Sequence, residues 1–225
     1  MLGSQFRKIL PDLSYPTSKD FDVTNYVQME EYVNRNGCEL LIHAAAFTSP
    51  PLIEKNPTRA IDVNIVGTSN IVKICMKFDA RLIYICTDYV FKGDKGDYKE
   101  DDPVLPVNKY AWSKLGGECA VRMYDKSLVV RTTFGPEAFP YEKAFVDQWT
   151  SRESVCVIAR KVAELIDRDI TGVIHVGGPR KSVLEYARAL DTAREIGELS
   201  VKDVGFAVPA DTSLNCDKYN RIVKS

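Results

Sequence analysis

Leu82-Ile83-Tyr84-Ile85-Cys86-Thr87 is the stretch whose reading decides the fold. It is a continuous apolar run rather than an alternating one, which describes a strand buried on both faces. Strands of that kind belong to parallel sheets covered by helices. The run ends in Thr87-Asp88-Tyr89-Val90-Phe91 and passes into a polar loop with Gly93 and Gly96. A hydroxyl at the carboxyl end of such a strand stands where open α/β sheets bind ligands. Downstream, Tyr110-Ala111-Trp112-Ser113-Lys114 follows Pro106 and Asn108. On a helix, a tyrosine and a lysine four residues apart lie one above the other. A free phenol titrates near about 10, and an ammonium held beside it favours the phenolate. Tyr110 and Lys114 are thus candidates for a proton-transfer unit, with Thr87 close by.

The flanking chain alternates strand and helix. Residues 1–10 read as an amphipathic helix. Thr24 is a suitable N-cap for a helix over about 25–36, and Gly37 a suitable stop. Residues 38–46 read as a strand ending in Ala44-Ala45-Ala46, whose small side chains let backbone approach a ligand. Asn56-Pro57 opens the next helix, on which Ala60, Asn64, Gly67, Ile71, Ile74 and Phe78 recur every three or four residues. Residues 127–132 and 172–177 read as further strands. Thr150-Ser-Arg-Glu153 and Ser182-Val-Leu-Glu185 both fit capping boxes, predicting helices near 151–168 and 183–196. This alternation predicts an α/β, doubly wound parallel sheet.

The 225 residues, 45% of them hydrophobic, suffice for one such domain with a small appendage. A net charge of −1 gives no electrostatic case for nucleic acid or an anionic membrane. No apolar run approaches the roughly 20 residues that span a bilayer. The six cysteines show no Cys-x-x-Cys pairing and read as free thiols of a reducing cytosol, so the expected location is cytoplasmic. His43 and His175 lie in apparent strands as core residues, and no metal site is expected.

Taken together, Thr87-Asp-Tyr-Val-Phe91, Pro106-x-Asn108-x-Tyr110-x-x-Ser113-Lys114 and Arg131-Thr132 resemble the extended short-chain dehydrogenase/reductase family. The resemblance is closest to its dTDP-4-dehydrorhamnose reductase branch and is best over 22–135. It implies a Rossmann-like sheet with a small C-terminal substrate-binding part. Residues 1–135 would form the dinucleotide-binding part. Residues 136–225 would be mixed, with 151–176 completing the Rossmann-like part. The implied activity is reduction of the 4-keto group of a nucleotide-linked deoxysugar by NADPH or NADH. Thr87, Tyr110 and Lys114 would be catalytic. The cofactor would meet Gly3, Ser18, Lys19, Asp22, Val23, Ala44, Ala45, Ala46, Asn64, Tyr110 and Lys114. Ser18 and Lys19 lean toward NADP, since a basic residue suits a 2′-phosphate. Tyr89 stands where dehydratases of the family carry a proton-abstracting glutamate, which favours a simple reductase. A sugar-nucleotide epimerase is the alternative within the family. A non-catalytic, dinucleotide-binding regulatory subunit, like the methionine adenosyltransferase β subunit, is the alternative outside catalysis. A homodimer is a further expectation.

The family's glycine fingerprint is represented only by its tail, Met1-Leu2-Gly3, with Gly3 as the glycine that lets the helix pack closely on a strand. The first strand and two glycines are therefore expected in about 10–15 further residues ahead of Met1. The stretch 136–147 is also shorter than the family's.

Overall fold

The computed structural model describes residues 1–224. Its centre is a parallel sheet of four strands: β1 (Leu40–His43), β2 (Arg81–Thr87), β3 (Ser127–Thr132) and β4 (Gly172–Val176), paired in the order β1-β2-β3-β4. Residues along β2 face alternate sides. Leu82, Tyr84 and Cys86 join α2 (Tyr26–Asn36) and the long helix α4 (58–78) in one core. Ile83 and Ile85 join α1 (Leu2–Ile9), α6 (Val155–Ala163) and Leu128, Val130, Ile174 and Val176 in a second. Each such aliphatic side chain contributes about 1.5–3 kcal/mol on burial. Covering both faces is why the strands read as unbroken apolar runs, and the doubly wound α/β class stands as expected.

Helix α4 is built from three consecutive stretches, Thr58–Ala60, the π-helical Ile61–Gly67 and Thr68–Phe78. Before it lies α3 (Pro50–Lys55), and α5 (Lys109–Val121) connects β2 to β3. A third cluster gathers Phe139, Ala144 and Ile196 around Val183, Leu184, Tyr186 and Ala187 of α7 (Val183–Leu190). The closing helix α8 (Asp217–Lys224) lays Tyr219 on the second core.

Several boundaries differ from the sequence reading. The cap of α2 is Asn25, whose side chain accepts from Gln28 N, while the Thr24 hydroxyl donates to Asp22 Oδ1. The strand read over 38–46 narrows to Leu40–His43, because it has a partner on one side alone and Ala44 onward leaves the ladder. Thr150 caps nothing: it pairs with Lys181 in a short strand, and Ser154 caps α6 by accepting from Val157 N. The Ser182–Glu185 capping box forms as read, although α7 stops at Leu190.

The outer edge of β1 pairs with no strand of the described residues, and residues 11–21 run beside it as turns and irregular chain. Between that edge, α1 and α2 lies a cavity of about 660 Å³. Among the described residues no helix is long and apolar enough to cross a membrane, and no His, Cys, Asp and Glu cluster could hold a metal ion. All six cysteines are free thiols. His43 and His175 are buried, and burial pushes both imidazoles down to about 3, leaving them neutral.

Candidate active site

Asn108 fixes where the tyrosine helix begins. Its side chain accepts from Ala111 N at 2.9 Å to cap α5, and donates to Ala207 O at 3.0 Å. Two residues after the cap, Tyr110 is half-buried, and Lys114, one turn further on, is buried. Tyr110 stands beside Thr87 at the carboxyl end of β2, so the structure brings together the two groups that the sequence assigned to one cleft. The Tyr89 ring meets the Tyr110 ring edge-on with centroids 6.2 Å apart.

The electrostatics depart from the simple tyrosine–lysine picture. Burial raises Tyr110 well above the ordinary phenol range. The Thr87 hydroxyl beside it favours the phenolate, and Cys86, Asp88 and Tyr89 oppose it. Lys114 does not bring the phenol down here. Its Nζ donates to the Ile85 carbonyl at 2.9 Å and lies 4.3 Å from the centre of the Tyr84 ring. Burial lowers Lys114 to about 8, with Cys86 and Glu118 pulling the other way.

Asn64 occupies the π-helical stretch and organises the backbone around this cleft. Its Oδ1 accepts from Phe47 N at 2.8 Å, and its Nδ2 donates to Phe47 O and to Ser113 Oγ, each at 2.9 Å. The Ser113 hydroxyl in turn donates to the Tyr110 carbonyl at 2.7 Å. Gly67 is required by close approach, since a Cβ there would come within 2.7 Å of Val23 Cγ2. Arg131 of the Arg131-Thr132 pair is structural: it forms a buried two-pronged ion pair with Glu118, at 3.1 and 2.6 Å.

Four residues that the sequence reading left unassigned complete the cleft. Asp88 is buried and pushed up to about 6, despite Thr212, Arg152 and Thr87, which favour its ionised form. Thr212 donates to its Oδ2 at 2.6 Å and Thr87 to its Oδ1 at 3.1 Å. Gln148 donates to the Tyr89 hydroxyl at 2.6 Å. Arg152 acts on both Asp88 and Tyr89. No motif singled out in the sequence rests on Thr212, Gln148 or Arg152.

The proposed cofactor residues separate into groups. Gly3, Val23, Ala44 and Ala45 line the cavity beside β1, with Ser4, Phe21 and His43. The first turn of α1 carries no side-chain cap and no acidic residue, so its amides are available to an anion. These residues fit the phosphate and adenosine end of a dinucleotide. Gly3 does not serve close packing, because a Cβ there would meet nothing within 4 Å. Ser18 and Lys19 sit on an exposed turn away from the cavity wall, and Asp22 is engaged with Thr24. Ala46 and Asn64 are likewise off that wall.

The chain is 25% identical to methionine adenosyltransferase 2 subunit beta of Pongo abelii, over 98% of this chain and 74% of that protein. It is 41% identical to dTDP-4-dehydrorhamnose reductase of Mycolicibacterium smegmatis, over 52% of this chain and 36% of that one. The structure of dTDP-4-dehydrorhamnose reductase from Bacillus anthracis in complex with NADP superposes with a TM-score of 0.87 at 26% identity, covering 98% of this chain and 88% of that one. With residues 1–164 matching the RmlD substrate binding domain, the chain belongs to that family.

Proposed function

We propose that the protein reduces the 4-keto group of a nucleotide-linked deoxysugar with NADPH, as a dTDP-4-dehydrorhamnose reductase does. The observation that carries this reading is the meeting of Thr87 and Tyr110 at the carboxyl end of β2, with Lys114 one turn below. The NADP complex of the Bacillus anthracis relative supports the choice of cofactor. NADPH, when bound, supplies the hydride.

Within the protein, Thr87 would hydrogen-bond the substrate carbonyl and orient it. Tyr110, held protonated by burial, would give its proton to the oxygen as carbon takes the hydride. The resulting phenolate would be stabilised by Lys114 once the ammonium leaves the Ile85 carbonyl. Gly3, Val23, Ala44 and Ala45 would hold the cofactor's adenosine end, and Tyr110 and Lys114 its nicotinamide ribose. Tyr89 is no base at neutral pH, because burial raises it further; this favours reduction over dehydration. The chain-long similarity to methionine adenosyltransferase 2 subunit beta favours a second reading, a regulatory dinucleotide-binding subunit. Retention of Thr87, Tyr110 and Lys114 in one cleft argues for catalysis.

The six free thiols fit a cytoplasmic setting. A homodimer belongs to the same reading, and Trp112 and Met123, exposed on α5 and just beyond it, are apolar side chains it would cover. Loss of NADPH absorbance on adding dTDP-4-dehydrorhamnose tests the activity. NADPH binding without turnover would support the regulatory reading instead.

A further inference from the structure

Arg152 stands at the edge of the cleft with its Nε buried and unpaired among the described residues. Its backbone is pinned on both sides: Glu153 N donates to Thr133 O at 3.4 Å, and Gly178 N to Ser151 O at 2.8 Å. Ser151 and Glu153 both pack against the Gly177–Gly178 turn at the end of β4, so closely that a Cβ on either glycine would collide with them. The residue between them projects to the other side, as alternation along extended chain requires. There its guanidinium carbon lies 6.0 Å from the centre of the Tyr186 ring, and its charge acts on Asp88, Tyr89 and Tyr186.

The nearby charges are already taken. Glu153 pairs with Lys181 at 2.8 Å, and the Asp88 oxygens accept from Thr212 and Thr87. Arg131 and Arg180 have Glu118 and Asp211. Arg152 Nε, by contrast, is buried with no hydrogen-bond partner among the described residues. Asp88 is the acidic group its charge acts on, yet no hydrogen bond joins the two, and a buried donor left unpaired calls for an explanation. A planar fork of donors is suited to phosphate.

We infer that Arg152 is the anion anchor of the substrate cleft and takes the diphosphate of the nucleotide-linked sugar. The identity of the anion rests on the reductase reading; the anchor itself rests on the unpaired Arg152 Nε. Binding is therefore measured apart from turnover, with dTDP, thymidine and NADPH as probes on the 225-residue protein. R152Q should weaken dTDP about 10- to 100-fold, the worth of a charged hydrogen bond, and leave thymidine and NADPH unchanged. R152K should recover part of the loss. Equal dTDP affinity in R152Q and wild type overturns the proposal, as does equal loss of thymidine, loss confined to NADPH, or a wild type that binds no dTDP. If dTDP binding depends on Arg152 but no sugar is reduced, the anchor stands and the reductase reading falls.

Discussion

Thr212, near the end of the chain, donates a 2.6 Å hydrogen bond to the buried carboxylate of Asp88, the residue after Thr87. The tail is thereby fastened to the floor of the cleft. Asp211 N reaches Gly93 O, and Thr212 N reaches Trp149 O.

The Asp88 carboxyl titrates near 6 in the fold, against 3.8 when unperturbed. A raised folded-state value means that its contribution to stability is full below about 4 and is lost as pH rises through about 6. Asp88→Asn should therefore be more stable than the wild type at pH 8 by about 1–3 kcal/mol. The gain should disappear at pH 4. Urea unfolding at the two pH values checks this, and an equal difference at both would contradict it.

Lys114 runs the other way. Its folded-state value of about 8, below 10.5, gives a contribution that is present above about 10.5 and lost as pH falls through 8. Lys114→Met should abolish turnover yet raise stability at pH 7 by about 1–3 kcal/mol, less what the lost bond to Ile85 O is worth. Thermal unfolding at pH 7 with an activity assay tests both halves. A destabilised Lys114→Met would show that this lysine is held more favourably than its burial implies.

Asn64→Ala removes three hydrogen bonds to Phe47 and Ser113 from a buried site. Leaving those partners unsatisfied should cost about 2–5 kcal/mol. The Tyr110 turn should also loosen, because Ser113 ties Asn64 to the Tyr110 carbonyl. Denaturant midpoints should fall, and kcat should drop more than the stability loss alone explains.

The Arg131–Glu118 pair is buried, with side chains 1% and 0% exposed. Arg131→Met alone should cost about 3–5 kcal/mol, since it strands a buried carboxylate. Pairing it with Glu118→Leu should restore most of the loss. A double variant as unstable as the single would show that the pair is worth more than its desolvation.

How much was legible follows from these contacts. The cores of β2, β3 and β4 could be read because each is an apolar run buried on both faces. Tyr110, Lys114 and Asn64 could be read because their spacing repeats that of a helix. Helix α3 could not, since six residues give too little periodicity. The Thr150 box misled because pairing with Lys181 outweighed a local cap, and Ser154 offered another. Arg152 and Gln148 gain meaning only from contacts with residues about sixty positions away, which no local pattern records. Lys114 was read as the partner of Tyr110, but the low-dielectric floor of the sheet offered it the Ile85 carbonyl.

Tyr110 is proposed to supply the proton in a carbonyl reduction. The direct measurement is turnover of dTDP-4-dehydrorhamnose by Tyr110→Phe, beside NADPH titrations of both proteins. The expected result is a fall in kcat of about 10²–10⁴, the usual worth of a positioned general acid, with NADPH affinity nearly unchanged. Wild-type turnover in the Tyr110→Phe protein would contradict it.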